Sequence, residues 1–261
     1  MIGQNKLQNK LFQYNLETLP KTILFMGPNG CGKHTLLNEI ARKLYMDIIE
    51  LDVAHTTDDL IDFQQQPIPT FFLIDLNKFT EKQQNQFLKF IEEPGKNVFI
   101  CLIASSPIGI LPTVLNRCQI YHFEPYSIEQ LRNIKSYDNE LIYNVCKTPG
   151  QLLEVDINQF TALASFCKSV LDYISTVPIG NALNIANKLN FKEEYDKFDY
   201  DLFLRTLLVL ACNRYITNDD KVARLIYIKT VVYLQRLQYK TLNKETFMIN
   251  YLLYIKEALN G

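Results

Sequence analysis

The chain of 261 residues is 48% apolar and carries 27 lysines and arginines against 28 aspartates and glutamates. That length and apolar content supply cores for two or three packed units. A net charge of −1 excludes a generally basic protein that coats DNA, while leaving room for a local phosphate-binding surface.

Thr22-Ile-Leu-Phe-Met26 is a short apolar run leading into a glycine-rich turn, and Leu36 to Leu44 then repeats apolar residues at helical spacing. Ile48 to Val53 reads as a strand, and Thr70-Phe-Phe-Leu-Ile-Asp75 as an apolar strand closed by an acid. A helix from about Thr80 to Ile91 is stopped by Pro94-Gly95. Val98 to Ala104 and, after a short helical stretch, Gln119 to Phe123 complete the series of strands. Runs without alternation are buried on both faces, so they predict a parallel sheet sandwiched by helices, an α/β architecture. After Phe123 the patterning turns helical: Ser127 to Ile134, Asp138 to Cys146, Pro149 to Val155, Phe160 to Ile174, and more as far as Leu259. The break at Pro125 and the change of pattern divide the chain into 1–124, a small helical unit 125–157, and a helical domain 158–261.

The six cysteines (Cys31, Cys101, Cys118, Cys146, Cys167, Cys212) form no CxxC pair, and His34, His55 and His122 lack ligand spacing, so zinc is not expected. Met1 is followed by polar residues, and no window reaches about 18 uninterrupted apolar residues. No signal peptide, no membrane span and a reducing, cytoplasmic location are the expectations.

Gly27-Pro28-Asn29-Gly30-Cys31-Gly32-Lys33 follows the first strand and opens a helix. In a GxxxxGK loop the glycines let backbone amides curl around phosphate oxygens, the helix N-terminus adds positive potential, and the lysine reaches the terminal phosphates. ATP or ADP is therefore the candidate ligand. A phosphate loop places Ser or Thr directly after the lysine to hold Mg²⁺, whereas this chain has His34 there and Thr35 one residue late. One residue on a helix turns a side chain by about 100°, and Mg²⁺ prefers oxygen, so Mg²⁺ is expected to bind weakly if at all. Asp75, at the end of a second strand, suits a metal or its water; capping the strand end is the other reading.

Three stretches resemble one family. Ile2-Gly3-Gln4 with Leu19 to Pro28 is similar to the opening of clamp-loader AAA+ modules. Asp75 to Thr80, Gln84-Asn85 and Leu88 to Pro94 resemble their segment after the Walker B strand. Ala104-Ser-Ser-Pro107 and Leu111 to Gln119 resemble sensor 1 and the SRC motif, and Pro125 to Leu131 matches the start of the lid. The family comprises the DNA polymerase III gamma/tau and delta-prime subunits and their replication factor C relatives.

The resemblance implies an AAA+ fold over 1–124, a lid over 125–157 and an oligomerising collar over 158–261. It implies a hetero-pentamer with other clamp-loader subunits that opens a sliding clamp and places it on primer-template DNA. Arg117 matches the SRC arginine, an arginine finger acting in the neighbouring subunit's site, with Asn116 in place of the serine and Cys118 kept. Ser106 falls at sensor 1. Hydrolysing members carry an acid after the Walker B aspartate and an arginine at sensor 2; this chain has Leu76 and Gln151. The zinc module between Walker A and Walker B is missing, with only about 40 residues between Lys33 and Asp75. A site weakened in cis beside a retained trans arginine is the delta-prime pattern. A hydrolysing gamma/tau-like motor and a stand-alone P-loop enzyme such as a nucleotide kinase remain as alternatives.

Two further features concern partners. Apolar stripes at Phe203, Leu207, Leu208 and Leu210, and at Tyr227, Val231, Leu234 and Leu237, read as core with part of a subunit interface. Lys78, Lys82 and Lys89 are candidates for DNA contact. The basic residues Arg205, Arg214, Arg224, Lys229, Arg236, Lys240 and Lys244 read as a solvated face.

Overall fold

The apolar runs become five parallel strands in the computed structural model, which describes residues 3–55, 57–176, 199–236 and 244–258. They are β1 (Thr22–Met26), β2 (Asp47–Leu51), β3 (Thr70–Asp75), β4 (Val98–Ala104) and β5 (Gln119–His122), in the order β2-β3-β4-β1-β5. The three central strands are almost entirely buried, while β2 and β5 at the edges are partly exposed. Leu24, Phe72, Ile74, Ile100 and Leu102 enter one core cluster with Phe87, Phe90 and Ile91. Ile23, Phe25, Phe71, Leu73 and Phe99, on the alternate positions, are no more than 4% exposed, so both faces are covered. Burying one such side chain contributes roughly 1.5–3 kcal/mol, which makes this two-faced burial the main support of the sheet.

Connections are helical: α1 (Asn5–Leu11) precedes β1, α2 (Lys33–Leu44) links β1 to β2, and α3 (Thr57–Asp62) precedes β3. The helix expected over Thr80 to Ile91 is two pieces, α4 (Glu81–Gln86) and α5 (Leu88–Glu92), that share Phe87. Thr80 opens α4 with a capping box to Gln83, the arrangement that satisfies two orphan amides at a helix start. Short helix α6 (Pro112–Leu115) starts on a proline at its first position and leads into β5.

The chain forms two compact units, Met1–Ser136 with Lys147–Leu153, and Tyr137–Cys146 with Glu154–Gly261. Residues 125–157 are divided between them. The first unit holds the sheet, α7 (Ile128–Ile134) and most of α9 (Pro149–Glu154); the second holds α8 (Leu141–Val145), α10 (Ile157–Thr176), α11 (Tyr200–Asn218), α12 (Lys221–Arg236) and α13 (Lys244–Ala258). No strand occurs among the described residues of the second unit.

Within the second unit Phe203 and Leu207 are buried as expected, but the second stripe is displaced. The buried face of α12 is Ala223, Ile226, Thr230 and Tyr233, whereas Tyr227, Val231 and Leu234 are half-buried. Apolar residues on several faces of this helix leave its sequence without a single preferred stripe. Several basic residues are engaged internally. Arg205 pairs with Asp201, Arg214 bridges Asp172 and Asp220, and Lys229 lies 4.1 Å from the centroid of the Tyr254 ring. Leu237 and Lys240 lie outside the described residues.

Candidate functional site

The loop between β1 and α2 is bent so that its carbonyls are consumed, whereas of its amides only those of Gly27 and Cys31 are. Gly30 (φ +76°) and Gly32 (φ +98°) occupy left-handed backbone conformations that favour glycine. Gly27 N donates to Ala104 O at 3.0 Å, tying the loop's start to the end of β4. Lys33 Nζ donates to Gly27 O (2.5 Å) and Pro28 O (3.0 Å). Asn29 O accepts from Thr148 Oγ1 (2.9 Å), Gly30 O from Gly150 N (2.9 Å), and Cys31 O from the Tyr126 hydroxyl (2.9 Å). The backbone N–H groups of Asn29, Gly30, Gly32, Lys33, His34 and Thr35 have no partner among the described residues. A row of unshared donors at a helix start is an anion cradle.

Gly30 meets Gly150 backbone to backbone. A Cβ built on Gly150 would stand 2.6 Å from Gly30 Cα, and one on Gly30 would stand 2.9 Å from Gly150 Cα. The buried Thr148 hydroxyl and the start of α9 thus form the wall of the loop.

Lys33 is 6% exposed, and burial lowers its pKa, with Cys31 and Asp75 acting in the opposite sense. Burial pushes the Cys31 thiol up, so it is a packed thiol rather than a thiolate. His34 and Thr35 are both exposed on the first turn of α2. Gln151 is turned toward its own helix start: its Oε1 accepts from Lys147 N at 2.9 Å, and its N lies against Thr148 Oγ1 at 3.4 Å.

Asp75 ends β3 in register with Ile103 of β4, which in turn faces Phe25 of β1. It therefore sits at the same sheet edge as the loop, two strands or about 10 Å away. Its Oδ1 accepts from Asn77 N (3.1 Å) and Asn77 Nδ2 (2.6 Å). Asn77 Oδ1 in turn accepts from Ser105 N (3.1 Å) and Ser105 Oγ (2.7 Å). Asp75 is thus both the cap of the turn after β3 and the carboxylate facing the loop edge. Leu76 points into the core and is 4% exposed. Ser106 lies outside this network, with its Oγ accepting from Ile108 N at 3.3 Å.

Arg117 stands at the other edge of the sheet. β5 pairs with β1 from Gln119↔Ile23, so Arg117 is level with Lys21, before β1 begins. The phosphate loop starts after β1 ends, about 20 Å away at roughly 3.3 Å per residue, beyond the reach of an arginine side chain. Its guanidinium contacts Glu92 through Nε and Nη2, and its Nη1 donates to Thr113 O at 2.8 Å. A buried glutamine supports the preceding loop: Gln84 Nε2 donates to Gly109 O (2.7 Å) and Leu111 N donates to Gln84 Oε1 (3.0 Å).

The loop residues, Lys33 and Asp75 come together at one edge, as the motif implies. Asn77, Ser105, Gln84 and Glu92 lie in the stretches that carry the resemblance, but their contacts had no signal in the sequence, and neither did Thr148 at the loop's wall. Of the candidate lysines, Lys78 pairs with Glu50 at 3.2 Å while Lys82 and Lys89 are exposed. Among the described residues no three His, Cys, Asp or Glu gather as metal ligands, and no helix is long and apolar enough to cross a membrane.

A family model described as DNA polymerase III, delta subunit, matches residues 62–127, the stretch holding β3, α5 and Arg117. Replication factor C subunit 3 of Saccharomyces cerevisiae is 24% identical over 192 residues, 65% of this chain and 56% of its own. DNA polymerase III subunit tau of Escherichia coli is 28% identical over 113 residues, 40% of this chain and 18% of its own. The chain thus spans about half the length of the first of these relatives and less of the second. Among solved structures, a DNA polymerase III gamma subunit-related protein of Thermotoga maritima superposes with a TM-score of 0.50 at 16% identity, covering 98% of this chain and 99% of that one. A variant of RuvB from the same organism gives 0.51 at 18% identity, covering 98% and 88%. These two structures share its fold. In its sequence relatives the chain is thus similar to clamp-loader proteins of the replication factor C and DNA polymerase III kind.

Proposed function

We propose that this chain is a delta-prime-like clamp-loader subunit, which completes a neighbour's ATPase site with Arg117 and hydrolyses little or no ATP itself. The observation that carries the reading is the separation of Arg117 from the chain's own phosphate loop by the full length of β1. A guanidinium placed there serves a phosphate held by another subunit, where neutralising the charge on the transferring group is worth on the order of 10³ in rate.

The loop's unshared amides suit the phosphates of ATP or ADP, and Lys33 needs only to turn from the Gly27 and Pro28 carbonyls to reach them. Mg²⁺ fits poorly. The position after Lys33 carries an imidazole, Thr35 projects about 100° away, and Asp75 Oδ1 is already shared with Asn77. Leu76 supplies no carboxylate to orient water. In this reading 125–157, whose residues divide between the two compact units, serves as the lid, and 158–261 as the collar, of a hetero-pentamer that loads a sliding clamp onto primer-template DNA.

The test is ATP turnover by the purified chain alone. The reading requires turnover near background, and partners that include an intact AAA+ motor and a sliding clamp. Motor-like turnover by the isolated chain, barely altered in His34→Thr, would establish the gamma/tau-like alternative.

A further inference from the structure

The ion pair at the N-terminal sheet edge connects two segments that are each braced from below. On the Glu92 side, Thr22 Oγ1 donates to Ile91 O at 3.1 Å in the core, and Glu93 N donates to Lys89 O at 3.1 Å. Lys21 Nζ then binds the turn beyond it, donating to Gly95 O (3.2 Å), Val98 O (3.3 Å) and Lys96 O, with its ammonium 4.1 Å from the centroid of the Phe99 ring. On the other side, Arg117 N donates to Val114 O at 3.1 Å, and Val114 is fully buried. An open groove of about 430 Å³ lies beside the pair, lined in part by Lys21, Glu92, Glu93, Pro94 and Gln119.

An exposed arginine without a fixed partner has many rotamers, and it loses that freedom when it grips a phosphate. Here the Glu92 carboxylate holds Nε and Nη2, and Thr113 O holds Nη1, leaving two of the five guanidinium N–H donors without a partner among the described residues. We propose that Glu92 is the positioning residue of Arg117: it fixes the guanidinium in advance so that its remaining donors meet the neighbouring subunit's nucleotide phosphate. This rests on the reading of Arg117 as a residue acting in trans. Stability alone does not report such a role, because an exposed ion pair contributes little to folding whatever its purpose.

The test is a double-mutant cycle in the assembled complex, backed by a measurement on the isolated chain. Glu92→Gln is expected to lower kcat of the complex roughly ten- to hundredfold with KM for ATP unchanged, and Glu92→Asp to recover part of the loss. In an Arg117→Ala background Glu92→Gln should cause no further loss. In the isolated chain, the Arg117 Nε–H should exchange slowly with solvent and should lose that protection in Glu92→Gln. An unchanged kcat in Glu92→Gln beside a large drop in Arg117→Ala overturns the role of Glu92 and leaves that of Arg117 standing. Independent losses that multiply in the double variant also overturn it. No drop in Arg117→Ala removes the reading of Arg117, and the role of Glu92 with it.

Discussion

Replacing Gly150 by alanine sets two effects of opposite sign against each other. Gly150 lies in the first turn of α9 without a positive φ, so helix propensity alone would make alanine stabilising by about 1 kcal/mol. The new Cβ, however, would stand 2.6 Å from Gly30 Cα, and the obstructing atom is backbone that cannot rotate away. Overpacking of this kind costs about 1–3 kcal/mol. Parting the two segments also weakens the Gly150 N to Gly30 O bond, worth about 0.5–1.5 kcal/mol. The net expectation is a destabilisation of about 1–3 kcal/mol, a fall in Tm on the order of 4 °C per kcal/mol for a unit of this size. Urea and thermal denaturation of Gly150→Ala, with the exposed position Glu154→Ala as control, would measure it. The same variant should bind ADP more weakly, because Gly30 carries one of the cradle amides. A Tm equal to or above that of the parent would refute the close approach of α9 to the loop.

Other consequences are independent of that contact. Lys33→Met should weaken ADP binding roughly 10–100-fold by calorimetry while changing the Tm little, since the lost bonds to Gly27 O and Pro28 O offset the relief of a buried ammonium. Burial pushes the Cys118 thiol up to about 12 and the Cys146 thiol to about 11, and raises Cys101 and Cys167 as well. The folded chain therefore keeps protons that the unfolded chain releases above pH 9, so stability is complete below pH 9 and falls as pH rises beyond it. Denaturation curves should show this slope, and Cys146→Ala should reduce it by at most about 1.4 kcal/mol per pH unit. Asp220 caps the start of α12 through Val222 N (2.9 Å) and Ala223 N (3.1 Å) and pairs with Arg214, so Asp220→Ala should cost about 1–2 kcal/mol in chemical denaturation. Burial raises the Asp220 pKa, but these bonds outweigh it and hold it below 3.8; the contribution is present above that value and is lost as pH falls through the lower, folded pKa.

What the sequence disclosed follows from where the information resides. β1, β3 and β4 match their apolar runs to the residue because central strands buried on both faces tolerate little else. The edge strand β2 begins one residue early and stops two short of Val53, where an exposed edge relaxes the pattern. Helix α1 has only Leu7 and Leu11 as an apolar pair, too short a pattern to mark it, and long-range contacts hold it, such as Gln8 Nε2 donating to Glu39 Oε2 at 2.8 Å. In the site, Lys33 and Asp75 were legible because a spacing fixes them relative to glycines and to a strand end. Thr148, Gly150 and Glu92 act through partners far along the chain, for which no local pattern exists. Ser106 satisfies a nearby amide of its own loop, the local hydrogen bond that a short polar side chain finds first.

The central claim is that Arg117 works outside its own subunit. ATP turnover by the assembled complex, measured with the parent chain and with Arg117→Ala, tests it most directly. The Arg117→Ala complex is expected to assemble, with its kcat lowered by roughly 10³. Unchanged turnover from a fully assembled Arg117→Ala complex would contradict it.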